Sequence, residues 1–258
     1  MGHPLLDLAN KTAVVVGGTS GIGLALARGL AQAGANVVPT GRREEQVRNA
    51  AADVAAMGRR TLAQTCDVTD NGSIERLLNS VTAEFGAVQI LVNSAGRTKR
   101  RPTLEVPETE WNEIMETNLT GTLRACRVFG KHMIEQRYGR IVNIGSLSSF
   151  VGLFQVAAYG ASKSAVASLT KSLAIEWAAS GVCVNALCPG VVRTDMNAAL
   201  LDGTERGREF LMRTPMRRFC KLEELVGAAV FLASDAASFV TGHLLVVDGG
   251  ILASGVNQ

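Results

Sequence analysis

The sequence predicts an α/β fold, a single doubly wound domain whose parallel sheet of about seven strands is covered by helices on both faces. Three observations carry that prediction. Short apolar runs alternate with helix-periodic segments along the chain, as parallel strands joined by helical crossovers require. The first run, residues 12–16, is Val-rich with no polar alternation, as a strand buried on both faces must be. No repeat, low-complexity tract or Pro/Ser-rich linker interrupts the pattern, so the 258 residues read as one domain.

Taken in order, the strand at 12–16 runs straight into Gly17-Gly18-Thr19-Ser20-Gly21-Ile22-Gly23. Ile22, Leu26, Leu30 and Ala33 then recur at helical spacing, and Gly34 stands where that helix would stop. A strand, a glycine loop and a helix start together form a site for a pyrophosphate, because glycines let backbone approach the ligand and the first helical amides attract an anion. The spacing Gly-x-x-x-Gly-x-Gly differs from the commoner Gly-x-Gly-x-x-Gly of the Rossmann-type dinucleotide fold. Further strands are expected at 36–40, 61–65, 89–93, 140–145, 182–188 and 244–247. One helical face is traced by Ile74, Leu77, Leu78, Val81 and Phe85, another by Val166, Leu169, Leu173 and Trp177, and a third by Leu222, Leu225, Ala229 and Leu232. Gly17, Asn93, Ser146 and Pro189 fall at carboxyl ends of strands, where ligands bind in such sheets.

Tyr159-Gly160-Ala161-Ser162-Lys163 is the segment richest in chemistry. On a helix over 157–177, Tyr159 and Lys163 share a face. A nearby ammonium favours phenolate, so Tyr159 is expected to have a lowered pKa and to act as acid or base, with the Ser146 hydroxyl holding a carbonyl or alcohol oxygen. Alone, such a pair could simply decorate a helix; the glycine loop gives it weight.

Composition narrows the classes. Lys and Arg number 26 against 23 Asp and Glu, a net charge of +3 that gives no reason to expect nucleic acid. Lys99-Arg100-Arg101 is the tight basic run, either a solvated face or a contact for an anionic substrate or second subunit. Cys66, Cys126, Cys183, Cys188 and Cys220 have no metal spacing and read as small packing residues, and His3, His132 and His243 are scattered, so no metal is indicated. An odd cysteine count without a leader or a long apolar run points to a soluble protein of the reducing cytoplasm, with no membrane contact.

From about Asn10 to Gly250 these residues resemble the short-chain dehydrogenase/reductase family. The family's Thr-Gly-x-x-x-Gly-x-Gly stands here as Val16 through Gly23, and its Asn-Asn-Ala-Gly as Asn93-Ser94-Ala95-Gly96. Val16 replaces a Thr whose hydroxyl ties the turn to the Asn-x-Ala-Gly loop, and Ser94 replaces an Asn. Cys66-Asp67-Val68, Thr117-Asn118-Leu119, Ser146, Tyr159-x-x-x-Lys163, Asn185 and Pro189-Gly190 complete the match. The resemblance implies catalytic roles for Asn118 (a relay water), Ser146, Tyr159 and Lys163, the last also gripping the nicotinamide ribose. It implies cofactor contacts for Gly17, Thr19, Ser20, Gly21, Ile22 and Gly23, for Asp67 and Val68 at the adenine, and for Asn93, Ala95 and Gly96. It places Pro189, Gly190, Val192 and Thr194 beside the nicotinamide.

Gly41 stands where NAD enzymes of the family carry Asp, and Arg42, with Arg43 beside it, where NADP enzymes keep a base. NADP is therefore the expected cofactor, with NAD possible. The resemblance further implies a substrate-binding insertion around 190–220 within a domain spanning 1–258, a small-molecule carbonyl or alcohol substrate, and a homotetramer. Met196 through Leu201, Arg213-Thr214-Pro215 and residues 231–251 are similar to the gluconate 5-dehydrogenase branch, which acts on sugar acids; Arg193 or Arg213 could face a carboxylate. Two other readings stay open: a 3-oxoacyl carrier-protein reductase, with Arg124, Arg127 and Lys131 as a basic docking row, and a dinucleotide-binding regulator without turnover.

Overall fold

Five consecutive buried residues make β1 (Thr12–Val16) the centre of the molecule. Ala13 and Val15 point into one apolar layer, Val14 and Val16 into the other, so the strand is wetted on neither face. The structure is a computed structural model that describes residues 3–194 and 197–255. Beside β1 lie β2 (Asn36–Thr40), β3 (Ile90–Asn93), β4 (Gly139–Ile144), β5 (Val182–Pro189) and β6 (Leu244–Val247), all parallel, in the order β2-β1-β3-β4-β5-β6.

Helices cover both faces. Leu26, Leu30 and Ala31 of α1 (Gly21–Gln32), Val54 of α2 (Glu44–Ala56) and Ala229 and Leu232 of α9 (Val226–Ala233) fill the layer under Ala13 and Val15. The opposite layer takes Ile74, Leu77 and Val81 of α3 (Asn71–Phe85), Phe129 and Met133 of α5 (Gly121–Glu135), and Leu173 and Ala174 of α6 (Ala157–Trp177). The remaining helices are α4 (Glu108–Met115), α7 (Ala198–Leu201) and α8 (Glu205–Arg213). The chain leaves β1 toward β2 on one side and returns to β3 on the other, opening a crevice above the carboxyl ends of β1 and β3.

Among the described residues the sheet has six strands, one fewer than the sequence suggests, because 61–65 does not pair. That segment runs beside β2 and is pinned at both ends: Val37 N–H donates to Arg60 O at 3.2 Å and Cys66 N–H to Gly41 O at 2.9 Å. Residues 37, 39 and 41 thus present their backbone groups outward, and Pro39, which has no N–H, occupies the central donor position. The Thr40 hydroxyl reaches Gln64 O at 2.5 Å.

At the amino ends of the strands a closed ionic cluster ties β1, β4 and the turn after α9 together. Arg140 is buried; its Nε donates to Ser234 O at 3.2 Å, its Nη1 to Gly139 O at 3.0 Å and its Nη2 to Asp235 Oδ1 at 3.2 Å. Tyr138 donates its hydroxyl to the same Oδ1 at 2.8 Å, and both Lys11 and Arg140 lie over its ring, 4.0 and 4.5 Å from the centroid. Lys11 Nζ completes the cluster 3.4 Å from Asp235 Oδ2. Burial alone would raise the Asp235 pKa, but the Tyr138 hydroxyl and the two cations bring it below the usual carboxylate range.

Candidate active site

The glycine loop leaves β1 at Gly17, whose φ of +78° suits glycine. A Cβ here would stand 2.5 Å from Ala95 N, so the absence of a side chain is what lets the loop pack on the Asn93–Gly96 segment. Ser94 N–H donates to Val16 O at 2.8 Å, joining the loops across the crevice, and Gly17 N–H and Gly18 N–H both donate to Thr40 O. At Gly23 a Cβ would sit 2.1 Å from Gly17 O, which fixes how closely α1 enters the loop.

This crevice fits a dinucleotide. Ser20 precedes α1 without capping it by its side chain, and the Cβ position of Gly21 has no atom within 4 Å, so helix-start amides face open space. At the end of β2, Arg42 and Arg43 are exposed, and the side chain of neither makes a hydrogen bond or ion pair among the described residues. A Cβ on Gly41 would already lie 3.1 Å from Thr19 Oγ1, which leaves an acidic side chain there little room. Asp67 Oδ1 accepts from Thr69 N–H at 2.9 Å and from its hydroxyl at 2.8 Å. Although burial opposes it, those bonds and the Arg42 charge keep the Asp67 carboxyl ionised below its ordinary range. Val68 is buried against Gly121. Asn93 donates to Asn143 Oδ1 at 2.9 Å, while its own Oδ1 is buried without a partner.

Tyr159 and Lys163 do share a face of α6, and Ser146 meets them from the end of β4. Ser146 caps the 3-10 turn Leu147–Ser149, its Oγ accepting from Ser148 N–H at 3.1 Å, so its own hydrogen is directed elsewhere. Lys163 is buried; Nζ donates to Ile144 O at 2.7 Å and lies 5.8 Å from the Tyr159 ring centroid. A Cβ on Gly96 would stand 3.8 Å from that ammonium, so the Asn93–Gly96 segment adjoins the Ser146–Tyr159–Lys163 cluster.

The electrostatics correct one expectation. Tyr159 is not made acidic by Lys163: burial pushes the phenol up, with the Ser146 hydroxyl bond opposing, so the phenol holds its proton. Burial acts on the cation instead, bringing Lys163 down to about 8, with the Cys188 thiol opposing.

Asn118 is fully buried in a π-helical turn, Glu116–Thr120. Its Oδ1 accepts from Arg97 N–H at 2.8 Å, and its Nδ2 donates to Arg97 O at 2.9 Å and to Ser162 Oγ at 3.0 Å. Ser162 in turn donates to Tyr159 O at 2.7 Å. Pro189 is buried at the end of β5, Gly190 N–H donates to Val247 O, Val192 bridges to Cys220, and Thr194 N–H donates to Asn197 Oδ1 at 2.8 Å. Met196 lies outside the described residues.

Three contributors escape sequence reasoning. Arg97 clamps Asn118 through its backbone; its place directly after Asn93-Ser94-Ala95-Gly96 was the available signal. Ser162 lies inside the Tyr-to-Lys segment. Cys188 is buried beneath Ser146, its Sγ 2.5 Å from the Cβ position of Gly145, and burial pushes its thiol up to about 11.

Comparison with known proteins agrees with this architecture. A family model described as enoyl-(acyl carrier protein) reductase matches residues 16–252. Gluconate 5-dehydrogenase of Gluconobacter oxydans is 40% identical over 255 residues, 98% of this chain and 100% of that protein. The 3-oxoacyl-[acyl-carrier-protein] reductase of Salmonella typhimurium is 39% identical over 246 residues, 95% of this chain and 99% of that one. The crystal structure of a gluconate 5-dehydrogenase from Burkholderia cenocepacia J2315 in complex with NADP and tartrate has a TM-score of 0.94 at 37% identity, covering 97% of this chain and 98% of its own. With the crevice, the Ser146–Tyr159–Lys163 cluster and full-length similarity in agreement, the chain belongs to the short-chain dehydrogenase/reductase family of oxidoreductases.

Proposed function

We propose that the protein is an NADP(H)-dependent oxidoreductase interconverting a secondary hydroxyl and a ketone of a sugar acid or polyol, as a gluconate 5-dehydrogenase does. The observation that carries this reading is the convergence of Ser146, Tyr159 and Lys163 beside a dinucleotide crevice whose adenosine end has two guanidiniums without a hydrogen bond or ion pair among the described residues, and no carboxylate at position 41. Gly17 to Gly23 would hold the pyrophosphate, Asp67 and Val68 the adenine, Arg42 and Arg43 the 2′-phosphate, and Asn93, Ala95, Gly96, Pro189, Gly190, Val192 and Thr194 the nicotinamide half. The bound cofactor supplies or accepts the hydride.

The chain's own part is proton transfer. In reduction, the Tyr159 phenol gives its proton to the substrate oxygen while the Ser146 hydroxyl, already oriented by Ser148 N–H, donates to the same oxygen. In oxidation Tyr159 must first lose its proton. Lys163, which burial brings down to about 8, offers its remaining hydrogens to ribose hydroxyls and a relay water. The side chain of Asn118 is fully engaged, and its carbonyl already accepts from the Thr122 hydroxyl at 2.7 Å, so its second carbonyl lone pair is where that water is held. Residues 190–220, with α7 and α8, form the substrate-binding insertion.

Identity alone does not separate a sugar acid from a 3-oxoacyl carrier protein, since both kinds of relative are similar over nearly the whole chain. The structure weakens the carrier reading, because Arg124 of the basic row is bonded to Glu116 and Val68 O, leaving Arg127 and Lys131 exposed. NADPH oxidation measured with 5-keto-D-gluconate, other keto sugar acids and a 3-oxoacyl thioester tests the reading: keto sugar acids should exceed the thioester in kcat/KM. A thioester-only activity overturns it, and no turnover of any substrate favours a regulator. Arg42→Ala should raise the NADPH KM about 10- to 100-fold relative to NADH, the loss of one charge-assisted contact; an unchanged ratio reassigns the cofactor.

Ile175, Phe239 and Leu104, strongly exposed apolar side chains on the single chain, support assembly into a homotetramer, which a solution mass measurement checks. Five unpaired cysteines support a reducing cytoplasm. Among the described residues no helix is long and apolar enough to cross a membrane.

A further inference from the structure

Most cations around the substrate side of the crevice already have a carboxylate. Lys99 Nζ and Arg101 Nη2 lie 2.7 and 3.4 Å from Glu110 Oε2, and Arg97 Nη1 lies 2.8 Å from Glu113 Oε2. Arg193 forks onto Asp202, with its Nη2 2.6 Å from Oδ2, and Arg213 Nε lies 3.1 Å from Glu209 Oε1. The two arginines that the sequence offered for a substrate carboxylate are thus neutralised within the chain.

Two others are not. Arg100 makes no hydrogen bond or ion pair among the described residues. Arg206, half-buried on α8, makes no ion pair among the described residues; its Nη1 donates to Phe154 O at 3.3 Å and its guanidinium lies 5.2 Å from the Phe210 ring centroid. Their charges act on each other: burial lowers the pKa of Arg206, and the charge of Arg100 lowers it further, with Glu209 opposing.

Their location ties them to the chemistry. Phe154 and Gln155 belong to the segment that leads into Tyr159. Gln155 O accepts from Arg101 N–H at 2.8 Å, while Phe154 O accepts from Arg206. Gln155 holds a φ of +64°, a left-handed conformation that a non-glycine residue adopts only when its surroundings hold it there. One short loop therefore joins Arg100 from beyond β3, Arg206 from α8 and the start of α6 that carries Tyr159. Two guanidiniums that repel each other, Arg206 half-buried and Arg100 exposed, are stabilised by an anion shared between them, and their planar forks match a carboxylate.

We infer that Arg206, together with Arg100, is the carboxylate-binding pair of the substrate cleft, holding the acid end of a sugar acid while its hydroxyl or keto carbon lies at Tyr159. This rests on the sugar-acid reading above and names the residues that would select such a substrate over a neutral one.

The test uses the full chain loaded with NADP(H), as wild type, Arg206→Gln, Arg206→Lys and Arg100→Gln. Selectivity is the kcat/KM for 5-keto-D-gluconate divided by that for the neutral D-fructose. Tartrate binding is measured separately by calorimetry. Arg206→Gln should lower selectivity about 10- to 100-fold, mainly through KM, and weaken tartrate in parallel, whereas Arg206→Lys should restore part of both. Unchanged selectivity and tartrate affinity in a folded Arg206→Gln protein overturn the pair while leaving the sugar-acid reading intact. Tartrate binding that depends on Arg206 in an enzyme that turns over no sugar acid sinks that reading and supports the anion pair. A wild type that neither binds tartrate nor turns over a sugar acid overturns both. Should Arg206→Gln fail to fold, Arg100→Gln carries the same comparison.

Discussion

The two ends of the parallel sheet are built on opposite electrostatic plans. At the amino ends, Lys11, Tyr138, Arg140 and Asp235 close on one another, and the Arg140 guanidinium meets a carboxylate or a backbone carbonyl along its whole fork. At the carboxyl ends, the side chains of Arg42, Arg43 and Arg100 make no hydrogen bond or ion pair among the described residues, Lys163 has a carbonyl and no carboxylate, and the buried Asn93 Oδ1 and Ser148 Oγ accept and donate nothing. Both ends are partly buried and polar, so burial alone does not distinguish them. Satisfaction does: the closed end holds the strands together, and the open end waits for groups the chain does not supply.

The contrast can be broken at either end. The largest effect should come from Tyr159→Phe, which removes the proposed proton donor at the open end. Turnover should fall about 10²- to 10⁴-fold, with nucleotide affinity and melting temperature nearly unchanged, as read by steady-state kinetics, NADPH titration and calorimetry. Because burial holds the wild-type phenol above its ordinary pKa, alcohol oxidation should climb as pH rises through the alkaline range while ketone reduction does not. Equal losses of turnover and nucleotide binding would contradict the division of labour.

Arg140→Ala, at the closed end, should do the reverse. Two carbonyls lose a buried donor, while Asp235 keeps Lys11 and Tyr138, so the cost should be about 2–3 kcal/mol rather than the more severe penalty of a stranded buried charge. A fall of about 5–10 °C in melting temperature is expected, with kcat/KM per folded molecule preserved. A selective loss of activity without a change in stability would show that the ends are not independent.

The smallest effect sharpens the boundary between them. Val16 and Asn93 are registered neighbours on β1 and β3, facing the same layer, and Asn93 Oδ1 is without a donor. Val16→Thr should place a hydroxyl beside it and raise stability by about 1 kcal/mol, a rise of about 2–4 °C. No gain in a melting scan would mean that the oxygen is already served by solvent.

What the sequence reveals follows the range of the interactions involved. The strand, glycine loop and α1 are legible because their signals are contiguous, and the helix 157–177 emerges with its expected bounds. Strand ends elsewhere shift by a residue or so, as at β4, which begins at Gly139. The residues proposed as catalytic are recognisable by type and spacing. The pKa of Tyr159 is not, since a sequence shows the lysine four positions away but not how little water reaches the phenol. Arg206 is hidden for a related reason: α8 is polar enough to pass for a solvated helix, and the Phe154 carbonyl it meets is 52 residues distant. The side-chain bridge from Asn118 to Ser162 likewise spans 44 residues. The missing seventh strand was written in plain sight, since proline in the middle of β2 cannot donate.

Pro39 has a wider consequence for how molecules of this protein meet. A sheet margin with consecutive free amides invites a foreign strand to zip onto it, which is how misassembly and fibrous growth begin. Here one margin is interrupted by an imino acid and overlaid by the chain's own residues 61–65, so recruitment from that side is sterically and chemically poor. Any strand-to-strand union between copies is left to the opposite margin, along Leu244–Val247, which gives the molecule a single direction in which its sheet can be extended.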